Sequence, residues 1–599
     1  MKALLRKRWF PALWLALGSL VIMTPMFIKN YPYTHSYPWN MSWAFQYSRQ
    51  FLGGQFYPRW LESSWLSLGS PTFVFYPPLC MVAILPFAWL PTSWALVGSM
   101  VLAVWIRGIG FYLLGKKIWT KKITFITALL SMASPYFLVD IYARGAIAEV
   151  WAISLLPWLI WGGINAVESK NYLSTSLIFT TALFSLTHLP TLLITILVWL
   201  FFPWLFGNWK VAIKFYINTA LGLGISSFYL LPAKLDQQWV NIDVISIYNP
   251  LERFVINLWQ NQQGEQLWFD NMWFQIHFWI PFLLSILLII LILRKKERQL
   301  SGVWGFALVS TIIATYFQTD LSYLFYHYSG TLSRIQFPWR WQAITTTTLW
   351  IIWGYICLWV EQFNFQKYLA RLAYVIGISI GILGISVCLP ASFYGSIRYT
   401  HYVPDLTESF NELLSSRPNF PQEIEISPED YEQAKIFLQA HVLYPSGLAL
   451  RDVAEYSPKT ITRFPISLRS LPLKYPLTVW LGEGSPSIEV QEWRYGYRRL
   501  DLETTQSGIV VLRMFAYPGW HLLVNGQPHS RIVVEDGRLG VPVSPGKSVV
   551  EVIYGGTQAE NWGLIMSGSL TLIILWVAYR QKRLLTVKAE ASTALPYDN

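Results

Sequence analysis

Runs of about twenty predominantly apolar residues, the length an α-helix needs to cross roughly 30 Å of hydrocarbon, recur along this chain. They lie near 10–28, 94–115, 123–141, 149–167, 173–188, 190–206, 211–232, 274–293, 302–318, 342–360, 369–390 and 561–579. No water-soluble domain can bury so many, so the sequence reads as an α-helical polytopic membrane protein with about twelve transmembrane helices. Composition agrees: 13% of residues are charged and 54% hydrophobic, against about 25% charged in an ordinary soluble domain. The formal charge of +12 sits largely in short clusters beside apolar runs, where it orients helices and meets lipid headgroups. It therefore speaks for membrane lipids, and no nucleic acid is expected as partner. Cys80, Cys357 and Cys388 lie in or beside apolar runs without metal-ligand spacing and read as small buried hydrophobes.

The basic clusters also set the topology. Lys116, Lys117, Lys121 and Lys122, then Lys210 and Lys214, then Arg294 to Arg298, and finally Arg580 to Arg583 all fall on one side if the twelve runs alternate. By the positive-inside rule that side is cytoplasmic, as are both termini. Lys2, Arg6, Lys7 and Arg8 ahead of the first run read as a retained signal anchor. Residues 72–92 hold a short apolar stretch bounded by prolines; counting it as a crossing would move the lysines at 116–122 outside, so it is read as re-entrant or interfacial. The outer face then carries the longer connections: 29–93, 142–149, 187–190, 233–273, 319–341 and 391–560. Chemistry is expected there.

Residues 1–390 form the membrane domain, with 29–93 as its long first outer loop. From 391 the chain gains Asp, Glu and Pro and loses apolar runs, which predicts an extracytoplasmic α+β module. In 391–486, a mixed segment, "PDLTESFNELL" and "SPEDYEQAKIFLQA" read as short helices with acidic first turns. From 487 to 560 the pattern alternates as strands do, and Asn525-Gly526, Asp536-Gly537 and Pro545-Gly546 supply turns, which predicts an antiparallel β-sandwich. Residues 561–599 hold the last crossing and a basic cytoplasmic tail.

Several outer-face groups have two readings each. Arg144 and Glu149 in "YARGAIAEVW" flank a helix start, where the arginine could hold a phosphate beside helix N-terminal amides or form a structural ion pair with the glutamate. His188 in "THLPT" is a ligand-binding group or a hydrogen-bonded turn residue. Arg334 and Arg340 in "SRIQFPWRW" are a phosphate clamp or interfacial arginines in an aromatic belt. No metal-ligating residues are read from the sequence, which leaves the cofactor unknown.

Together "GGQFYPRW", "GSPTFVFYPPL", "YARGAIAEVWAISLLPW", "THLPT" and "SRIQFPWRW" resemble a bacterial multi-pass membrane family labelled 6-pyruvoyl-tetrahydropterin synthase-related. The tail "FAYPGWHLLVNGQPH" through "KSVVEVIYG" is similar to the C-terminal β module of related proteins. Soluble pterin synthases bind zinc through a His-x-His pair that none of the eight histidines here forms. What the resemblance implies instead is a layout similar to the GT-C class of glycosyltransferases in the bacterial inner membrane. Such enzymes move a sugar from a polyprenyl-phosphate carrier to an acceptor, with a catalytic acid in the first outer loop.

Laid on the family's Gly-His-Asp-Leu-Pro-Phe-His stretch, His35 and Pro38 match, while Ser36 stands at the acid and Asn40 at the second histidine. Serine at neutral pH is no base unless something activates it. The resemblance therefore implies Glu62 or Glu149 as catalytic carboxylate, with Asp270 also within the outer segments, and His35, Arg144, His188, Arg334 and Arg340 as ligand-binding residues. The acceptor, a glycan, lipid or protein, is not specified. A non-catalytic descendant that binds a lipid-linked glycan or assists a partner is the alternative reading, and a transporter a third.

Overall fold

The computed structural model describes residues 10–29, 34–242, 254–258, 268–294, 302–362, 366–400, 452–461, 476–534 and 537–593. The helices are α1 (Phe10–Ile22), α2 (Thr24–Lys29), α3 (Tyr37–Leu52), α4 (Thr92–Ile118), α5 (Lys121–Met132), α6 (Pro135–Val139), α7 (Ile147–Glu168) and α8 (Thr175–Ser185). They continue as α9 (Leu189–Trp199), α10 (Trp209–Ile225), α11 (Ser227–Leu235), α12 (Trp268–Arg294), α13 (Gly302–Tyr316), α14 (Gln342–Gln362), α15 (Gln366–Thr400) and α16 (Gln558–Thr593). Shorter helical turns lie between them.

Every predicted crossing falls on helix, but among the described residues only seven helices are long and apolar enough to cross a membrane. They are Thr92–Ile118, Lys121–Arg144, Ile147–Glu168, Trp273–Leu293, Pro338–Glu361, Tyr368–Ser386 and Gln558–Arg580. Helices α10 and α11 pass the same test only as a pair, bent by 77°. About twelve were expected; by length and composition seven of the described helices qualify, or eight with the bent pair counted as one span. In one case the reason is local: the run 10–28 breaks at Met23, with Pro25 in the first turn of α2; Phe10–Ile22, Thr175–Ser185, Leu189–Leu205 and Gly302–Tyr316 are apolar helices of 10–17 residues. Residues 72–92 break further, into turns at Thr72–Phe75, Leu79–Val82 and Leu85–Phe87, with Pro77 and Pro78 between the first two and Pro86 inside the third.

The bundle has two chemically different ends. At one, Lys117 pairs with Glu168 at 2.8 Å and Lys122 with Glu361 at 3.7 Å, while Lys214 donates to the Ser169 carbonyl. These contacts gather the ends of α4, α5, α7, α10 and α14. At the other end lie the first loop, the start of α7 and the C-terminal β region.

Between them the bundle is pinned by Arg107 of α4, a guanidinium with no solvent exposure. It donates to the carbonyls of Ser131 (2.8 Å), Ile153 (3.0 Å) and Thr346 (2.9 Å), so one side chain ties α4 to α5, α7 and α14. Its face lies on Phe111 and Phe137. A buried cation needs such satisfaction, and here carbonyl dipoles supply it in place of a carboxylate. Cys80 and Cys357 are free and buried, as expected; the side chain of Cys388 lies outside the described residues.

The C-terminal region is two antiparallel sheets. Strands are β1 (Thr478–Gly482), β2 (Ser487–Arg494), β3 (Tyr497–Thr504), β4 (Gly508–Phe515), β5 (Trp520–Val524), β6 (Gln527–His529), β7 (Ile532–Val533), β8 (Arg538–Val543) and β9 (Gly546–Tyr554). Their orders are β1-β4-β8-β7 and β2-β3-β9-β5-β6. The β5–β6 hairpin turns through Asn525 (φ 52°) and Gly526 (φ 75°), the left-handed pair that a two-residue turn requires. The first strand begins at 478, ahead of the expected boundary at 487, and the two acidic helices expected in 391–486 lie outside the described residues.

The β region is not a self-contained unit. Trp60, Trp65, Leu68, Val74 and Phe75 of the first loop share one hydrophobic core with Leu502, Leu512, Phe515, Trp520 and Val541. Trp60 meets Trp520 edge-on at 5.6 Å, and the Phe515 N–H donates to the Leu68 carbonyl at 2.7 Å. A sheet face needs a covering layer, and the loop after α3 provides part of it.

Candidate functional site

After α6 the chain makes one wide turn of π-helix, Asp140–Arg144, and leaves it through Gly145 at φ 63° before α7 starts. The turn puts Asp140 and Arg144 on one face and carries Glu149, in the first turn of α7, up to them. Arg144 Nη1 donates to Glu149 Oε2 at 2.9 Å, to the Tyr136 hydroxyl at 3.0 Å, and to Asp140 Oδ1. Tyr136 in turn donates to Glu149 Oε1 at 2.6 Å. Asp140 and Glu149 are 0% and 1% exposed, whereas Arg144 keeps 12%. Two buried carboxylates therefore lean on one cation, and that cation alone reaches the surface.

The unmatched atoms are informative. Arg144 Nε and Nη2 have no protein acceptor among the described residues, and the second oxygen of Asp140 is buried without a partner. His277 of α12 is fully buried with neither ring nitrogen bonded, its ring 5.7 Å from that of Tyr136. Buried polar atoms are rarely left so without a role or a guest.

Arg340 joins from the turn before α14. Its Nη1 donates to the Ile335 carbonyl (2.8 Å) and to Gln336 Oε1 (2.9 Å), while Nε is buried and unbonded. Gln336 is held at φ 66°, left-handed and costly for a side-chain residue, so this turn is a strained one fixed by its own hydrogen bonds. The charge of Arg340 acts on both Glu149 and Asp140, and His188 lies within electrostatic reach of Glu149. His188 caps α9 and shares a hydrogen bond with Thr191 at 2.8 Å. Beside Arg340, Phe337, Trp339 and Phe274 stack at 4.5 and 5.0 Å.

Of the residues expected from sequence, Arg144, Glu149, His188 and Arg340 thus share one neighbourhood. The others take different places. His35 is exposed, and its backbone N–H bonds the Ala143 carbonyl at 3.2 Å. Arg334 is exposed and donates to Gln237 at 3.1 Å.

Glu62, expected as a catalytic carboxylate, is an anchor. It accepts from Arg498 and from the Gly496 N–H at 3.0 Å, joining the first loop to β3. Its carboxyl is raised by burial, with Arg498 opposing the shift. Ser36 and Asn40 also serve backbone: the Ser36 N–H donates to the Arg144 carbonyl at 3.0 Å and Asn40 Nδ2 to that of Gly145 at 2.7 Å. The Asp270 side chain lies outside the described residues.

Sequence reasoning missed Asp140 and His277. Asp140 carried a usable signal, since it stands four residues before Arg144 on a helical segment; His277 stands as a lone imidazole in "MWFQIHFWIPF". Among the described residues no group of three metal-ligating side chains occurs.

Because the π turn exits through a left-handed residue, Gly145→Ala is expected to cost about 1 to 2 kcal/mol and to loosen the Arg144 network. Thermal unfolding in detergent, followed by tryptophan fluorescence, checks it; an unchanged Tm would remove the turn from the argument.

No family model and no curated protein matches the chain.

Proposed function

We propose that this chain is a membrane glycosyltransferase that moves a sugar from a polyprenyl-phosphate carrier to a cell-envelope acceptor. The observation that carries the reading is Arg144: fixed by two buried carboxylates, it reaches the surface of the bundle's non-basic end with Nε and Nη2 unpartnered among the described residues. A guanidinium positioned in this way is a preorganised receptor for phosphate oxygens. Arg340 adds a second positive group, and the Phe337–Trp339–Phe274 stack offers a flat apolar face of the kind that sugars and isoprenoids pack against. In this reading the basic end faces the cytoplasm together with both termini. The short helices complete about twelve passes in a GT-C-like arrangement, and the site and β-sandwich lie outside the cytoplasm of a bacterial cell.

Glu149 and Asp140 hold Arg144 rigid, so the positive charge meets the carrier phosphate without reorganisation, the condition under which such contacts stabilise a departing oxyanion most. The test is direct: protein purified into nanodiscs is given radiolabelled polyprenyl-phosphate sugars, and both binding and sugar release are measured. Saturable binding with release is expected. Absence of both over a panel of such donors sinks the reading.

A second reading is favoured by Ser36 and Asn40. Where the resemblance implies an acid and a histidine, this chain has Ser36 and Asn40, of which Asn40 turns its side-chain amide to the Gly145 carbonyl. A protein that binds the lipid-linked sugar and never releases it would be a presenting partner.

A further inference from the structure

Beside the Arg144 network, α12 and the start of α14 build a wall of aromatic and polar groups. Phe274 and His277 stand one turn apart on α12, and both rings lie against Tyr136, with centroids 6.1 and 5.7 Å away. Trp339 stacks on Phe274 at 5.0 Å, and Gln342, the first residue of α14, donates from Nε2 to the Phe274 carbonyl at 2.7 Å. The Tyr136 hydroxyl accepts from Arg144 at 3.0 Å and donates to Glu149 at 2.6 Å, so the wall adjoins that network directly. His277 and Gln342 have no solvent exposure, whereas Trp339 is half-buried.

Both ring nitrogens of His277, Nε1 of Trp339 and Oε1 of Gln342 are buried there without a hydrogen-bond partner among the described residues. The Phe274 carbonyl fixes which way the Gln342 amide points, so its oxygen is left as an acceptor. The indole can only donate, and an uncharged imidazole offers one N–H and one bare nitrogen. The wall therefore presents two unanswered donors and two unanswered acceptors. Phosphate oxygens could answer only the donors, a cation only the acceptors, and an isoprenoid chain neither. A hydroxyl both donates and accepts, and a ring that carries several does so at several points.

We propose that this wall is the sugar subsite of the lipid-linked ligand, with His277 as its innermost binding residue. Arg144 takes the carrier phosphate, and His277, Trp339 and Gln342 take hydroxyls of the sugar attached to it. The inference rests on the proposed function in its binding step alone, and it holds equally for a transferase and for a protein that presents the sugar. Water is the other source of the same hydroxyl chemistry. Comparing a carrier that bears a sugar with one that does not separates the two.

Protein in nanodiscs is titrated with polyprenyl-phosphate glucose, polyprenyl-phosphate mannose and bare polyprenyl phosphate. His277→Leu is expected to weaken the sugar-bearing ligand that wild type binds best by about 10- to 100-fold and to leave the bare carrier within about twofold. The Tm of the unliganded variant should stand at or above that of wild type, because the buried imidazole has no hydrogen bond to lose. Trp339→Phe keeps the ring stack and removes one N–H; it should repeat the selective loss at smaller size, and it decides the matter if the leucine variant does not fold. Equal weakening of all ligands with a lowered Tm makes His277 a packing residue and overturns the proposal. Unchanged affinities overturn it as well and leave water as the occupant, as does wild type that binds the bare carrier as tightly as either sugar-bearing form. Wild type that binds none of the three sinks the proposed function, and this inference with it.

Discussion

Arg144→Ala is expected to destabilise the outer end of the bundle by about 3 to 5 kcal/mol and to abolish saturable donor binding. The substitution leaves Asp140 and Glu149 buried at 0% and 1% exposure with no cation in contact, and two like charges stranded in one low-dielectric spot repel as well as resist desolvation. Stability and binding can be separated. In Arg144→Leu with Asp140→Asn and Glu149→Gln, no buried charge remains, so most of the lost Tm should return, since replacing an ion network by neutral groups of similar size is often close to neutral. Donor binding should not return, because the free Nε and Nη2 are gone. Recovery of binding in the triple variant, or retention in Arg144→Ala, would show that phosphate is held elsewhere.

The division between what composition reveals and what it conceals runs along helix ends. Charge and apolar length located a helix under each expected crossing, because both are properties of a stretch of chain. Whether a run is one helix or two depends on single residues. The run 211–232 looks uniform by hydropathy, yet it bends by 77° at Ser226, whose hydroxyl bonds the Ala182 carbonyl of α8 at 3.0 Å. That partner is distant in sequence, and no local pattern names it. Likewise alternation marked the strands from 487 onward, but β1 exists by pairing with β4, and its own five residues carry little periodicity.

The site shows the same limit. Arg144 and Glu149 were legible together because the helix start lies between them, and Arg340 stood out as a cation among aromatics. The role of Glu62 was not, since its partner Arg498 is 436 residues away. An acid in a loop and an acid in an interface look alike until the fold brings their cations. Arg107 was overlooked for the converse reason: inside an apolar helix it reads as a tolerated exception, and only three carbonyls from three other segments reveal it as a pin.

The seam between the first loop and the C-terminal region carries the second large effect. Arg59 is 7% exposed; it pairs with Glu560 at the start of α16 and donates to the Phe228 carbonyl of α11 at 2.9 Å. Glu560 also accepts from the Tyr554 hydroxyl at 3.0 Å, so one carboxylate joins β9, α16 and the first loop. Burial and the neighbouring Glu560 act in opposite directions on Arg59, and the result is a pKa held above its ordinary value, which keeps it charged at any working pH. Arg59→Met should therefore cost about 3 to 5 kcal/mol through the stranded Glu560, and Glu560→Gln a similar amount through the stranded guanidinium. The double variant should cost less than the sum, because each partner's penalty exists only while the other is charged. Glu62→Gln should add nearly independently, since its partners Arg498 and Gly496 are not shared. Limited proteolysis between β1 and β9 reads the outcome: cleavage should rise sharply in each single Arg59 or Glu560 variant and fall back in the pair. Equal protection in all of them would mean that the shared core of Trp60, Trp65 and Phe75 holds the seam, with the ion pair contributing nothing to it.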